Sequence, residues 1–475
     1  MQIRILLPIK VCLWLLCNCS FQPLTAQCWQ DVAAGWDFTA AIQEDGTLWA
    51  WGENLSGQLG NGINERQHTP VQVGTESNWQ RVATGESHVV AIKKDGSLWT
   101  WGNNRNGQLG DGTYSDKSTP TRIGLDNDWE QIAAARQYCI ALKKNGTLWA
   151  WGGGFAKLFD PVPPENADRT APTQVGTHSD WKQVSAGSQH ILGIKKDGTL
   201  WACGNNDTGQ LGDSTYFRRT SPVQIGHAAD WIQAAAAYDH SMAIKQAPIA
   251  SPGTGSIWFW GNNRGLVFAN GPAPDPNYPI RFNPLQGWLQ MATGLTHTIG
   301  ADLTGTLLAW GKNTKGQLGD GTTITPLNNQ FKRVQTGPAT GWLRLAVGHS
   351  HSAAIQDDGT LWAWGNNSTG AVGDGTNIDR IRPERVDCSG RSFSFSRENL
   401  ILSPNPVRDA LHVTLNNMDP ADLTFEVQNT LGQILIPRQP LPNTLTLDIQ
   451  PLPRDFYLLH ISGKDGQVSK LFVKW

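Results

Sequence analysis

The sequence predicts an all-β protein in which a repeat of about fifty residues is followed by a smaller β-domain. Three observations support this: tryptophan recurs with that period, short alternating runs are separated by Asp-Gly or Asn-Gly pairs, and the period ends near residue 399. The chain has 475 residues, with 51 Gly, 27 Pro and 22 Trp, a composition that favours many turns and short strands. This length excludes a single small domain.

The charge balance limits the kinds of partner. Lysine and arginine together number 38 and aspartate and glutamate 40, so the formal net charge is −2. A protein that binds nucleic acid usually carries a basic surface, and this composition does not provide one. We therefore expect no nucleic-acid partner, and a partner held by shape, aromatic surface and hydrogen bonds.

Residues 1–27 have the layout of a secretory signal peptide. The basic residues Arg4 and Lys10 precede the apolar run 11–16, and small residues follow before Gln27. This run is far shorter than the roughly 18 to 20 residues that a membrane span needs. We expect cleavage near Gln27 or Cys28, with a signal anchor and a lipoprotein acylated at Cys28 as the alternatives.

Each repeat begins at a tryptophan and is predicted to form antiparallel β-sheet. After Trp-x-x and two small or apolar residues come usually Gly, two variable residues, a ring-bearing residue, an apolar strand, a turn, and a strand ending in Trp-Gly. Period-two alternation around a turn such as Asp95-Gly96 is a strong hairpin signal, and it contradicts a helical repeat. The first tryptophans of the repeats are Trp29, Trp79, Trp129, Trp181, Trp231, Trp288 and Trp342.

The loop after the Trp-Gly pair carries a specific motif. It reads Asn-x-x-x-Gly-Gln-Leu-Gly-Asp-Gly in several repeats, as at residues 107–112 and 316–321, and a Pro-x-x-[Val/Ile] strand closes most repeats. These motifs resemble the regulator of chromosome condensation repeat family over about 360 residues. The resemblance implies a seven-bladed β-propeller, which we place at residues 28–390. The third, fourth and fifth repeats depart from the motif, for example at Cys203, which replaces the tryptophan of Trp-Gly.

The remainder of the chain has a different pattern. Residues 391–398 are a polar linker, and residues 399–475 contain short alternating runs that predict a small β-sandwich. Ser403-Pro404-Asn405-Pro406, Phe456-Tyr457-Leu458 and the terminal basic strand resemble the C-terminal type A sorting domain of the type IX secretion system. The resemblance implies recognition of residues 399–475 by that machinery, their removal, and release or surface attachment of the propeller. A carbohydrate-binding or stabilising β-module is the alternative.

One ring-bearing residue per repeat suggests a metal site, but geometry argues against it. Equivalent residues of successive blades lie too far apart to share one ion at bond lengths of about 2 Å. We therefore expect these rings to be structural, and we predict no metal and no cofactor. They are His88, His190, His240, His297 and His351, with Phe38 and Tyr138 in the other two repeats.

The sequence contains no catalytic motif. There is no Gly-x-Ser-x-Gly, His-Glu-x-x-His, P-loop or Cys-x-x-Cys, and no calcium-binding Asp array. We therefore predict no catalytic residue and a protein that is not an enzyme.

The predicted binding surface comes from the two variable positions before each ring-bearing residue. Equivalent positions of successive blades lie on one face around the central axis, so these side chains should form one patch. A second candidate surface is formed by the irregular segments 153–169 and 246–256. The residues predicted to bind a partner are Trp36, Asp37, Glu86, Arg136, Tyr238, Asp239, Leu295 and His349.

These features together predict a monomeric propeller that is secreted or attached to the outer-membrane surface. It is expected to bind an extracellular protein or glycan. An inhibitor of an extracellular enzyme and a polysaccharide-active enzyme are the alternatives.

The last repeat lacks a following tryptophan, which raises the question of how the ring closes. We expect the strand around Pro383–Val386 to pair with the sheet that contains Trp29. Cys28 and Cys388 lie on the two sides of this junction, and export permits oxidation, so the sequence predicts a disulfide between them. Cys139 and Cys203 lie in strand patterns and are expected to be buried and unpaired.

Overall fold

The structure is a computed structural model. It describes residues 29–154, 168–246, 255–263, 275–282, 287–326, 330–336, 341–387, 400–403, 407–415, 424–429, 434–440, 445–463 and 466–474. Every regular element in these ranges is a β-strand, so the prediction of an all-β protein is confirmed. None of the described residues belongs to a helix that could span a membrane. The chain separates into two compact units, Met1–Val386 and Asp387–Trp475.

The described residues of the first unit form seven successive antiparallel groups of four strands, each built from one repeat, which we call blades. The strands of the fifth and sixth blades join in one larger sheet through the pair Gly255 and Trp288. Blades one to three contain β1 (Trp29–Ala34), β2 (Phe38–Gln43), β3 (Leu48–Gly52), β4 (Gln67–Gln72), β5 (Trp79–Thr84), β6 (His88–Lys93), β7 (Leu98–Gly102), β8 (Lys117–Ile123), β9 (Trp129–Ala134), β10 (Tyr138–Lys143), β11 (Leu148–Gly152) and β12 (Arg169–Gln174).

The remaining four blades repeat the same order. They contain β13 (Trp181–Ala186), β14 (His190–Lys195), β15 (Leu200–Gly204), β16 (Arg219–Gln224), β17 (Trp231–Ala236), β18 (His240–Gln246), β19 (Gly255–Gly261), β20 (Ile280–Arg281), β21 (Trp288–Thr293), β22 (His297–Asp302), β23 (Leu307–Gly311), β24 (Lys332–Arg333), β25 (Trp342–Val347), β26 (His351–Gln356), β27 (Leu361–Gly365) and β28 (Arg380–Val386).

Tryptophans from the third strand of the blades tie neighbouring blades together. Trp151 is fully buried, and its Nε1 donates a hydrogen bond of 2.9 Å to the carbonyl of Gln108 in the preceding blade. Gly110 lies against the same indole with φ of +72°, and a Cβ there would lie 2.7 Å from the ring. The Gly-Gln-Leu-Gly loop is therefore shaped to receive a tryptophan from the next blade. The same donor contact is made by Trp51, Trp101, Trp260 and Trp364.

The ring closes without strand exchange, so the prediction for Pro383–Val386 is wrong. Strand β28 pairs with β27 of its own blade and supplies that blade's fourth strand. Closure uses the contact found at other junctions: the backbone N–H of Trp29 bonds to Gly359 O at 3.0 Å, as that of Trp79 bonds to Gly46 O. Cys28 and Cys388 lie outside the described residues, so their disulfide remains a prediction. Cys139 and Cys203 are buried free thiols, as predicted.

The described residues of the second unit form two antiparallel sheets that share one core. Val427, Leu459 and Phe472 are among its fully buried residues. Near the C-terminus, Lys474 Nζ donates hydrogen bonds of 2.6 Å to the carbonyls of Ile449 and Gln450. The strands are β29 (Leu400–Ser403), β30 (Ala410–Leu415) and β33 (Leu445–Asp448) in one sheet, and β31 (Thr424–Asn429), β32 (Ile434–Pro440), β34 (Phe456–Gly463) and β35 (Gly466–Val473) in the other.

Candidate functional site

The first strands of the blades surround the centre of the ring. Contacts run from β1 to β5 and onward through each successive first strand to β25, which contacts β1 again. The C-terminal ends of these strands, with the residues that follow them, line a central cavity of about 140 Å³. All seven repeats therefore contribute to one site.

The residues around the opening of this cavity form what we call the axial mouth. Each occupies the first of the two variable positions identified in the sequence. Six of the eight predicted binding residues are among them, and Ser188 is the additional member. The axial mouth consists of Trp36, Glu86, Arg136, Ser188, Tyr238, Leu295 and His349.

Arg136 connects three blades across the axial mouth. Its Nε donates to Glu86 Oε2 at 2.8 Å, and its Nη1 donates to the Tyr238 hydroxyl at 3.1 Å. The Arg136 side chain remains 43% exposed and that of Glu86 31% exposed. The hydrogen bond with Glu86 also raises the pKa of Arg136, so the guanidinium stays charged. A charged group is thus held in place at the opening while solvent still reaches it.

Trp36 and His349 form an aromatic pair beside this network. Their ring centroids lie 4.4 Å apart, and the guanidinium carbon of Arg136 lies 6.0 Å from the Trp36 centroid. The backbone N–H of His349 also bonds to Trp36 O at 3.3 Å. Burial lowers the pKa of His349, against the opposing effect of Asp37, so its imidazole is neutral at pH 7.

Asp37 and Asp239 do not line the cavity, although the sequence placed them with the other six residues. Both are half-buried, and burial raises the pKa of each carboxyl. Asn366 Nδ2 donates to Asp37 Oδ1 at 3.4 Å. Their main-chain carbonyls accept the N–H groups of Glu53 and Asn262. These two residues begin the loops between the third and fourth strands of the first and fifth blades, which we call the long loops. The second variable position therefore faces the loop of its blade, and only the first faces the axis.

The ring-bearing residues lie at the junctions between blades. His190 Nε2 is 2.9 Å from Ser241 Oγ in the next blade, and His351 Nε2 is 3.0 Å from Thr39 Oγ1 across the closure. Ser241 Oγ in turn donates to the Gln210 carbonyl. The sequence pattern does not by itself predict these hydroxyl partners, although a hydroxyl or thiol often follows the ring-bearing residue. The histidines therefore join blades, as the structural interpretation expects.

A second cavity, which we call the polar crevice, opens beside Arg136 on the same face. Its volume is about 190 Å³, and every residue that lines it has a polar side chain. Glu86 and Arg136 belong to both cavities, so their ion pair forms the wall between them. The sequence does not predict this crevice, because residues of the loop after β7 line it together with residues of the variable positions. Its other residues are Ser87, Asn103, Arg105, Asn106, Gln108 and Gln137.

The second candidate surface lies mainly outside the described residues. Residues 155–167 and 247–254, which make up most of segments 153–169 and 246–256, are not described. The predicted signal peptide at residues 1–27 and the linker at residues 391–398 also lie outside the described part of the chain.

The fold and the central site define a repeat propeller that presents a loop-lined face. The model of the RCC1-like domain matches residues 17–264, and models of the regulator of chromosome condensation (RCC1) repeat match residues 304–355 and, in a second version, 288–317 and 344–371. The chain belongs to the RCC1-like domain family.

Relatives and solved structures agree with this assignment. The ultraviolet-B receptor UVR8 of Arabidopsis thaliana is 28% identical over 222 residues, which are 43% of this chain and 46% of that protein. The probable E3 ubiquitin-protein ligase HERC6 of Homo sapiens is 31% identical over 208 residues, 43% of this chain and 20% of that protein. The chain therefore spans less than half the length of these curated relatives.

Two solved structures resemble the propeller. Human WBSCR16 has a TM-score of 0.62 at 22% identity, covering 78% of this chain and 99% of its own. Prp20p of Saccharomyces cerevisiae has a TM-score of 0.62 at 20% identity, covering 79% and 90%. At these identities the likeness establishes the fold alone.

The second unit also has a family match. The model of the secretion system C-terminal sorting domain matches residues 402–474. The resemblance to a type IX sorting domain is therefore confirmed. A propeller with this tail is a substrate of the type IX secretion system, which exports it to the cell surface or the medium.

Proposed function

We propose that this protein is an extracellular binding scaffold whose partner, a protein or a glycan, docks on the axial mouth. The observation that carries the proposal is the convergence of six predicted binding residues on one cavity, where contacts between blades hold five of them in place. Preorganised side chains lose less conformational freedom when a partner binds. The types present, Trp, Tyr and Arg, are those enriched among residues that dominate binding energy.

The sorting domain supports an extracellular setting for this binding. Export separates the propeller from cytoplasmic partners, so the partner is a component of the cell surface or the surroundings. The ring needs no second chain to close, and we propose that the propeller works as a monomer. Whether the mature protein is released or stays attached is decided by processing of residues 399–475.

The first prediction tests the binding face with a triple variant. Trp36→Ala, Arg136→Ala and Tyr238→Ala together remove the side chains that organise the axial mouth, while Trp36 and Tyr238 are only half-buried. We expect the variant to keep its unfolding midpoint within a few degrees and to lose partner binding at least tenfold. Binding is measured with the immobilised full-length chain against a glycan array and proteins of the extracellular medium.

The matched control alters the opposite end of the blades. Lys94, Lys144 and Lys196 are exposed residues of the turns between second and third strands, and all three are changed to alanine. We expect this variant to bind as the parent does. Equal binding by the axial-mouth variant and the parent would contradict the proposal.

A further inference from the structure

The walls of the central cavity are small and mostly apolar. The last residue of each first strand forms one layer, and the residue after it forms a second. Apart from two threonine hydroxyls, no side chain in these layers is polar. The first layer is Ala34, Thr84, Ala134, Ala186, Ala236, Thr293 and Val347, and the second is Gly35, Gly85, Ala135, Gly187, Ala237, Gly294 and Gly348.

The volume of the cavity limits the size of the chemical group that can bind in it. The volume of about 140 Å³ includes the space within the open axial mouth. It is close to that of engineered apolar cavities of about 150 Å³, which hold one benzene-sized molecule. One aliphatic or aromatic side chain therefore fits, whereas a whole peptide segment does not. Below the axial mouth only Thr84 and Thr293 have polar side chains, and the Thr293 hydroxyl already bonds to His240 and Thr298. Few side-chain groups therefore remain to hydrogen-bond the hydroxyl groups of a sugar.

The axial mouth contains a mainly aromatic arc and a charged pair. Tyr238, Leu295 and His349 come from the fifth, sixth and seventh blades, and Trp36 from the first completes the arc. Glu86 and Arg136 hold the other side. Arg136 has five N–H donors, and its contacts with Glu86 and Tyr238 use those on Nε and Nη1. Three N–H donors of Arg136, one on Nη1 and two on Nη2, therefore remain for a ligand on this side.

The surroundings of Trp36 disfavour a glycan at this position. Sugar recognition by stacking requires an open aromatic face. The Trp36 ring already has His349 at 4.4 Å and the Arg136 guanidinium at 6.0 Å. An apolar side chain that enters the cavity below the Trp36 ring does not need an open face of that ring.

We propose that the axial cavity binds one aliphatic or aromatic side chain at the tip of a protruding loop of another extracellular protein. Arg136 and Glu86 bind main-chain carbonyl and N–H groups of that loop. The inference rests on the proposed function, because it assigns the partner class for the same face. A single buried anchor surrounded by polar contacts is the arrangement in which a few residues dominate an interface.

The test uses disulfide-closed peptides displayed as a library and selected on the full-length chain. We expect selected peptides to share Leu, Ile, Met or Phe at the tip. Replacing that residue by Ser in a synthetic peptide should weaken binding at least tenfold. This tip series leaves the protein unchanged, so it remains informative whatever the protein variants do.

A cavity-filling variant provides the complementary measurement. Ala34→Val, Ala134→Val and Ala186→Val introduce the residue that the chain itself carries at the equivalent Val347, so the blades should accommodate it. We expect at least a tenfold loss of peptide binding at an unchanged unfolding midpoint. The control is Ala171→Val on the exposed surface of β12, which should bind within twofold of the parent.

The outcomes separate this inference from the proposed function. Peptides that bind without an apolar tip, peptides indifferent to the filled cavity, or no selected peptide at all would overturn the inference. A glycan whose binding is lost in both the filled variant and the triple variant would also overturn it, while supporting the axial mouth as the binding face. Binding that survives the triple variant would overturn both.

Discussion

At the scale of a single residue, Lys93 at the end of β6 shows how a buried charge is accommodated within a blade. Its Nζ lies 4.7 Å from the Trp79 ring centroid and 3.6 Å from that of Trp99, and it forms an ion pair with Glu76. Burying an ammonium group is costly unless it has partners, and two indole faces with a carboxylate supply them. Equivalent lysines of the next three blades lie over their own tryptophan pairs: Lys143, Lys195 and Lys245.

The second prediction is that Lys93→Met lowers the free energy of unfolding by about 1 to 2 kcal/mol, because the cation–π and ion-pair contacts are lost. Denaturant unfolding of the full-length chain measures the change. Lys94→Met is the control, since Lys94 is an exposed neighbour, and its effect should stay below about 0.5 kcal/mol. If both variants are as stable as the parent, the contacts of Lys93 with the two indole rings and Glu76 contribute nothing to stability.

Single residues also show the limits of reading the sequence. The first variable position of each repeat was placed correctly around the axis because equivalent positions share a location in a symmetric fold. Asp37 and Asp239 were misplaced because neighbouring residues of one loop face different directions. The bridge from Arg136 to Tyr238 joins the third blade to the fifth, and no spacing in the sequence encodes that contact.

At the scale of the strand, one position of six of the seven first strands bonds to the next blade. Gln233 illustrates it: its Nε2 donates to Met291 O at 2.8 Å, and its Oε1 accepts from Met291 N at 3.0 Å. At the closure between the last and first blades, an ion pair takes the place of this glutamine contact. There, Arg344 Nε lies 3.2 Å from Asp31 Oδ1. Burial raises the pKa of the Asp31 carboxyl, and Arg344 opposes this shift.

The third prediction concerns this closure. Arg344→Gln removes the cation that is bonded to the buried Asp31 carboxylate and leaves Arg81 as the other cation that acts on it. The variant should lower the free energy of unfolding by about 2 kcal/mol, a figure reduced because the Arg344 side chain is 37% exposed. Asp31→Gln combined with Arg344→Gln should recover most of the loss, because the closure then carries glutamine, the residue found at this position in the third to sixth blades. Denaturant unfolding measures the free energy of unfolding of both variants. A double variant less stable than the single one would contradict the argument.

The strand pattern itself was predictable, but its assignment at the closure was not. Trp-x-x, the Asp-Gly turn and the Trp-Gly end mark the first three strands of a blade, and the structure confirms them. The fourth strand follows a loop whose length varies, so the sequence did not reveal which sheet Arg380–Val386 joins. A ring closed by strand exchange and a ring of whole repeats have the same period. Only the pairing of β28 with β27 separates them.

At the scale of the whole molecule, five buried histidines couple stability to pH. Burial lowers the pKa of His88 and His351 to about 4 and the pKa of His190, His240 and His297 to about 3. In the unfolded chain each histidine has its usual pKa near 6.5. The folded propeller therefore keeps them neutral while the unfolded chain takes up protons, so stability is complete above pH 6.5 and is lost as pH falls toward 4.

The fourth prediction follows from that proton difference. Each buried histidine should cost about 1.4 kcal/mol at pH 5.5, so five together lower the free energy of unfolding by about 7 kcal/mol between pH 8 and 5.5. Denaturant midpoints across this range measure the loss. His190→Phe provides the control, because Phe38 already occupies the equivalent position of the first blade; it should remove about one fifth of the pH dependence. A midpoint that does not change with pH would show that these imidazoles are protonated in the folded ring.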